Sequence, residues 1–118
     1  MRYSATFVFF CLASVQVMSA PLKGAVFSPS PGVVCDKNAQ FCADEQGISL
    51  GFTRSYLGQK AEGAMMARIK SGGGSAGYDL TWFTFSNGVD CKIKDRVCHV
   101  GKHSDKVDAA HTRALFGR

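Results

Sequence analysis

Two cysteine pairs, Cys35 with Cys42 and Cys91 with Cys98, constrain this chain more than any other feature. Six residues separate the members of each pair, and apolar residues flank a polar stretch in both VVCDKNAQFC and VDCKIKDRVC. A hairpin with a short loop sets residues at that spacing opposite one another, within disulfide reach. We therefore expect Cys35–Cys42 and Cys91–Cys98 in preference to the other possible pairings. Each bridge closes a small loop and would contribute about 2–3 kcal/mol on a chain-entropy argument.

Disulfides persist in oxidising compartments, and the N-terminus offers a route to one. Arg2 precedes an uncharged apolar run from Phe7 to Val17, with small residues at Ser19 and Ala20. That layout is a secretory signal over residues 1–19, because Pro21 disfavours cleavage directly after Ala20. The alternative is an uncleaved membrane anchor, although the run is short for a span. Cys11 follows Phe10 inside the run and is not a lipidation site. After cleavage the formal charge falls from +5 to +4 with the loss of Arg2. The remaining chain is long enough for one domain whose modest core gains from covalent staples. Its cations form no long run, so a solvated surface is expected rather than a nucleic-acid interface, and no membrane insertion follows cleavage.

Residues 20–31, with Pro21, Pro29 and Pro31, read as an extended N-terminal segment, and residues 32–118 as the folded domain. Beyond the first hairpin, Ile48 to Phe52 reads as a short strand. Thr53 then caps a helix whose ridge is Leu57, Ala61, Met65 and Ile69, weakened by Gly58 and Gly63. SGGGSAG, from Ser71 to Gly77, reads as a flexible link. It is not a phosphate loop, because no strand precedes it and no Gly-Lys-Ser/Thr follows.

Tyr78 to Val100 is the centre of the chain, a three-stranded meander. Tyr78 to Ser86 is rich in aromatic and β-branched residues, with Leu80 and Trp82 on one side and Phe83 and Phe85 on the other. That pattern suggests a central strand covered on both faces. Asn87-Gly88 suits a two-residue type I′ turn, which would set Thr84 opposite Cys91 and Phe85 opposite Asp90. A reversal at Lys94-Asp95 returns Cys98 to Cys91. A last helix, capped by Ser104 or Asp105, buries Val107, Ala110, His111 and Ala114 and ends at Gly117. The fold class is α+β: a small disulfide-stapled antiparallel sheet packed with two helices.

The two halves echo one another. Gly32-Val33-x-Cys35, Cys42 and Thr53-Arg54…Gly58 recur in order as Gly88-Val89-x-Cys91, Cys98 and Thr112-Arg113…Gly117. We read this as a duplicated hairpin-plus-helix unit.

No constellation of catalytic residues emerges, and the chain is expected not to be an enzyme or to need a cofactor. His99 and His103 with Asp105 superficially resemble a metal site, but His99 falls in a strand, where that spacing does not converge. The cysteines lack CxxC spacing, which disfavours redox or zinc roles. The candidate recognition surface is Trp82 with the stapled cationic tip Lys92, Lys94 and Arg96, near Lys102 and Lys106. The blander reading is a hairpin edge charged against aggregation.

Several of these segments carry a family likeness: SPSPGVVCD, FCADEQGISL, YLG, FTFSNGVDC and the terminal LFG. They resemble the YcgJ family, small exported proteins of enteric and related bacteria also described as Fels prophage protein-like. The resemblance implies a periplasmic or secreted protein with this cysteine framework, and carries no activity, ligand or catalytic residue. The expected function is a non-enzymatic binding module for a protein or envelope component, linked to envelope stress or host contact. The alternative is an inhibitor of a secreted hydrolase such as lysozyme, although two basic surfaces would repel.

Overall fold

The computed structural model describes residues 22–117, so the expected signal segment lies outside the described residues. Two antiparallel sheets hold the disulfides. The first has the order β1 (Val26–Ser30), β2 (Val33–Asp36), β3 (Phe41–Asp44), β4 (Gly47–Ser49). The second has the order β5 (Trp82–Thr84), β6 (Asp90–Lys92), β7 (Val97–His99). Four helices complete the α+β fold: α1 (Leu50–Leu57), α2 (Gln59–Ser71), a single turn α3 (Gly74–Gly77), and α4 (Ala109–Phe116).

Cys35 pairs with Cys42 across β2 and β3, and Cys91 with Cys98 across β6 and β7. Both pairs are bonded, with Cα atoms 4.0 Å apart in each. The local pairing expected from the spacing is therefore present twice.

Around each staple the same architecture recurs. Phe27 on β1 pairs with Cys35, as Phe83 on β5 pairs with Cys91. Gly32 and Gly88, both at positive φ, turn the chain between those strands. After the staple, β4 lies beside β3, and Val107 makes the equivalent bridge to His99. Ser49 caps α1 by accepting from Phe52 N, and Asp108 caps α4 by accepting from His111 N. Four residues into each helix a buried threonine closes the unit. Thr53 Oγ1 accepts from Cys42 N at 2.8 Å and donates to Ser49 O at 2.6 Å. Thr112 Oγ1 accepts from Cys98 N at 2.9 Å and donates to Asp108 O at 2.7 Å. Gly58 and Gly117 then end the helices at positive φ. Hairpin and helix hold the same relation in both halves, so one unit is built twice. The echo extends back to β1 and β5, further than the sequence reading placed it.

Matched roles give a matched prediction. Thr53→Val and Thr112→Val each leave a buried cysteine N–H unpaired, and each is expected to cost about 1–3 kcal/mol in urea unfolding. A large cost at one position and none at the other would contradict equivalent units.

The units share one core at their junction. Phe41 of the first lies edge-on to Phe83, centroids 5.7 Å apart, and stacks on Phe85 at 5.5 Å. Val26, Val34, Met65, Leu115 and Phe116 pack into the same cluster. Asp36, fully buried, ties the two hairpin turns together. Its Oδ1 accepts from Asn38 N and Ala39 N, each at 3.0 Å, and from Ser86 Oγ at 2.8 Å. Its Oδ2 accepts from Ser86 N. Leu80 O also accepts from Ile48 N, and there Gly47 is required: φ is +124° and a Cβ would clash with Leu80 O.

Several expectations are corrected. Within the N-terminal segment Val26–Ser30 pairs with β2, so the sheet begins before Gly32. Pro29 is accommodated because β1 is an edge strand with a register irregularity between Phe27 and Ser30. Ile48 to Phe52 is not one strand. The helix starts at Leu50, because Ser49 supplies the cap and Thr53 turns inward to Cys42. Gly58 divides the expected single helix into α1 and α2, with Ala61 and Met65 buried as the ridge requires. SGGGSAG contains the turn α3, and although it lies at the surface its backbone makes close approaches. A Cβ on Gly72 would lie 2.7 Å from Tyr78 Cδ2, and one on Gly77 2.7 Å from Gly72 O. The last helix is capped by Asp108, and Val107 is exposed rather than part of its buried stripe.

Candidate functional site

The site follows from the register of the second sheet. β5 runs only from Trp82 to Thr84 and lies at the sheet edge; Trp82 and Thr84 are exposed while Phe83 is buried. The expected strand covered on both faces is therefore a half-solvated edge. The hairpin also has a longer loop than a type I′ turn. Gly88 N donates to Phe85 O and Phe85 N to Val89 O, and only Gly88 of the Asn87-Gly88 pair has positive φ. This three-residue loop shifts the pairing by one residue: Thr84 faces Asp90 and Phe83 faces Cys91. A one-residue shift moves every side chain to the opposite face. It puts Phe83 with the disulfide in the core and collects Trp82, Thr84, Asp90 and Lys92 on the outer face.

Asp90 is the anchor of that face. Although only 1% exposed, its carboxylate is well provided with donors. Trp82 Nε1 donates to its Oδ2 at 2.8 Å and Oδ1 at 3.1 Å, and Thr84 Oγ1 donates to Oδ1 at 2.7 Å. The indole is thus held in one orientation while 44% of the residue stays open to solvent. Lys92 Nζ lies 4.6 Å from the indole centroid and Lys102 Nζ 5.5 Å, within the range of cation–π attraction.

Beside the indole is a shallow cleft of about 280 Å³. Tyr78, Trp82, Thr84, Arg68 and Lys102 form its polar and aromatic walls, with Phe41, Phe83 and Ile48 at its base. Arg68 donates to Ala39 O and lies 6.0 Å from the Phe41 centroid. Among the described residues, no ion pair involves Arg68, Lys92 or Lys102. No carboxylate lines the cleft, and Asp90 lies behind the indole it orients.

The expected cationic tip does not stay together. Lys92 joins Trp82, but Lys94 borders a separate hollow with Ser75 to Thr81. Arg96 turns back to Glu45 at 3.4 Å and lies 5.1 Å from the Phe116 centroid. Its own positive φ of 52° directs the reversal after the Ile93–Asp95 turn. Arg68, Tyr78 and Asp90 were not anticipated as parts of the surface. The signal for Asp90 was present: with the three-residue loop it becomes a cross-strand neighbour of both Thr84 and Trp82.

The histidines are placed differently. His99 lies in β7 and His103 in the following turn. Among the described residues, no three His, Cys, Asp or Glu side chains are grouped to hold a metal ion. His111 is buried between Asp108 Oδ1, 2.9 Å from Nδ1, and Asn87 Nδ2, 3.1 Å from Nε2. Burial opposes the charge of Asp108, but hydrogen bonds from the His111 backbone and ring outweigh it and hold the carboxyl below its ordinary value. A carboxyl depressed in the folded state stabilises above its unfolded pKa, and that stability is lost as pH falls through the folded value. Acid titration below about pH 4 should therefore weaken the protein, and Asp108→Ala should flatten that part of the stability–pH curve. An unchanged slope in thermal melts across that range would contradict this role.

The geometry defines a small α+β protein of two disulfide-stapled units, suited to an oxidising compartment and carrying one ordered aromatic–cationic face. Among the described residues, no helix is long and apolar enough to cross a membrane. The sequence model of the YcgJ protein family matches residues 26–116, and the chain belongs to that family. It is 38% identical over 100 residues to the uncharacterized protein YcgJ of Escherichia coli strain K12, covering 79% of this chain and 75% of that one. No solved structure matches.

Proposed function

We propose that the protein is a non-enzymatic binding module of the periplasm or the extracellular space, which engages an acidic partner of the envelope through the Trp82 face. The supporting observation is an exposed indole fixed by a buried carboxylate beside cations that no described carboxylate neutralises. Fixing a contact side chain beforehand lowers the ordering cost of binding. The comparison between units points the same way. Where the second unit has Trp82, Asp90 and Lys92, the matching positions of the first are Val26, Val34 and Asp36, all buried. The repeated architecture does not itself call for an exposed tryptophan and lysine there.

The non-enzymatic reading draws on His111, whose two ring nitrogens are occupied by Asp108 and Asn87. The inhibitor reading needs a projecting stapled tip, whereas Arg96 folds back onto Glu45 and Phe116. Capture from a periplasmic extract tests the proposal. The wild-type protein should retain a partner that Lys92→Glu with Lys102→Glu fails to retain, while the variant keeps its melting temperature. Equal retention by both proteins would refute the assignment of the face.

A further inference from the structure

We infer that the Trp82 cleft takes a single anionic sugar residue, carboxylated or phosphorylated, of an acidic saccharide. The inference rests on the binding role proposed for this face and names its ligand class. The first argument is charge: Arg68 and Lys102 line the cleft, Lys92 lies against the ring of Trp82 that forms one of its walls, and no acidic side chain lines it. A cation set of this kind attracts a carboxylate or phosphate and offers charge-assisted hydrogen bonds.

The second argument is shape. A volume of about 280 Å³ admits one ring, and Tyr78 and Trp82 supply its aromatic walls. Trp82 presents a flat surface because Asp90 takes up its only hydrogen-bond donor. What remains exposed is a ring face, which can pack the carbon face of a sugar but cannot donate to it. The lysines now resting against the indole can swing toward a ligand's charge, since no described carboxylate holds them. Sugar carbons can then meet the ring while the ammonium groups meet the anion at its rim.

The third argument separates saccharide from other polyanions. Single-stranded nucleic acid is bound by successive aromatic platforms along a basic groove. This face presents one exposed tryptophan and a cleft closed by Ile48 and Phe41 at its base. Two bonded disulfides also suit a compartment outside the cytosol, where acidic glycans are abundant.

The chain's one tryptophan reports directly on this site. Intrinsic fluorescence of the disulfide-intact protein would be followed during titration with oligogalacturonate, glucose 6-phosphate, maltose, polyglutamate and oligothymidylate. We expect a saturable change with oligogalacturonate or glucose 6-phosphate and none with maltose. The two acidic sugars distinguish carboxylate from phosphate as the recognised group. Lys92→Ala with Lys102→Ala should weaken binding by on the order of tenfold, with an unchanged melting temperature showing that the fold is intact. Equal response to maltose, equal or stronger response to polyglutamate or oligothymidylate, or no response in any arm would overturn the inference. If all saccharides are silent while the charge-reversal variant still loses its captured partner, the ligand class fails and the binding face stands. If both experiments fail, the binding face fails as well.

Discussion

Replacing all four stapling cysteines with alanine, or reducing both bridges, is expected to unfold the protein at 37 °C. Each bridge closes a loop with a sequence separation of 7, for which loop closure alone gives about 2.5 kcal/mol. Two such contributions approach the whole stability of a small domain, roughly 5–10 kcal/mol. Packing adds to the loss, since all four cysteines have 0% exposure. The two staples should not be equal. Cys91 and Cys98 belong to the main core with Phe83, Phe85 and Met65, while Cys35 and Cys42 form a smaller cluster with Val33. Cys91→Ala with Cys98→Ala leaves its void in the larger core and should lower the thermal midpoint more than Cys35→Ala with Cys42→Ala. Scanning calorimetry of the two double variants checks the order, and the reverse order would contradict the packing argument.

The second large effect is expected at Asp36. Asp36→Ala removes the acceptor for Asn38 N, Ala39 N, Ser86 N and Ser86 Oγ together. The carboxylate is buried, but Asn38 and Ser86 are exposed and water can take up part of their bonding, so the loss should be about 2–3 kcal/mol, more than one average hydrogen bond. Asp36→Asn is expected to cost less, about 1–2 kcal/mol, because an amide oxygen at Oδ1 keeps three of the four donors and the NH2 group opposes Ser86 N alone. Ser86→Ala removes only the hydroxyl contact and should cost about 1 kcal/mol. Urea unfolding provides the measurement, with a lower midpoint and an unchanged slope if the native state alone is weakened. Faster hydrogen exchange at Ser86 should accompany the loss. A cost near that of Ser86→Ala would mean that Asp36 does not join the units.

Local features were legible in the sequence, and features set by contacts between the halves were not. The staples could be read because a six-residue gap and a polar loop make a short hairpin regardless of what surrounds it. The doubled unit could be read from Thr53 and Thr112 with their following glycines, although their shared bond to a cysteine N–H became visible only in three dimensions. The hairpin register was missed because Asn87-Gly88 favours a two-residue turn by itself. In the folded protein Asp36, distant in sequence, accepts from Ser86, and Asn87 Oδ1 accepts from Val89 N. These contacts accompany the longer loop. The start of α1 was misplaced for a related reason, since Thr53 has the chemistry of a cap but is recruited by Cys42. SGGGSAG has the composition of a linker, yet Gly72, Gly73 and Gly77 are needed for close approach to Tyr78 and to one another.

The same logic applies to the candidate site. Trp82 and Lys92 could be chosen from composition, and they do meet. Lys94 and Arg96 were grouped with them by proximity in sequence, but the reversal at Ile93–Asp95 sends them elsewhere. Arg68 and Tyr78 come from α2 and the chain after α3, so no local pattern connects them to Trp82. Asp90 was hidden by the one-residue register error, which assigned it to the wrong face.

All of this depends on two local clasps, one in each half. Peptide mapping of the purified protein under non-reducing conditions tests that arrangement most directly. The account predicts one linked peptide pair containing Cys35 with Cys42 and another containing Cys91 with Cys98. A cysteine of the first half joined to one of the second, or four free thiols, would contradict it.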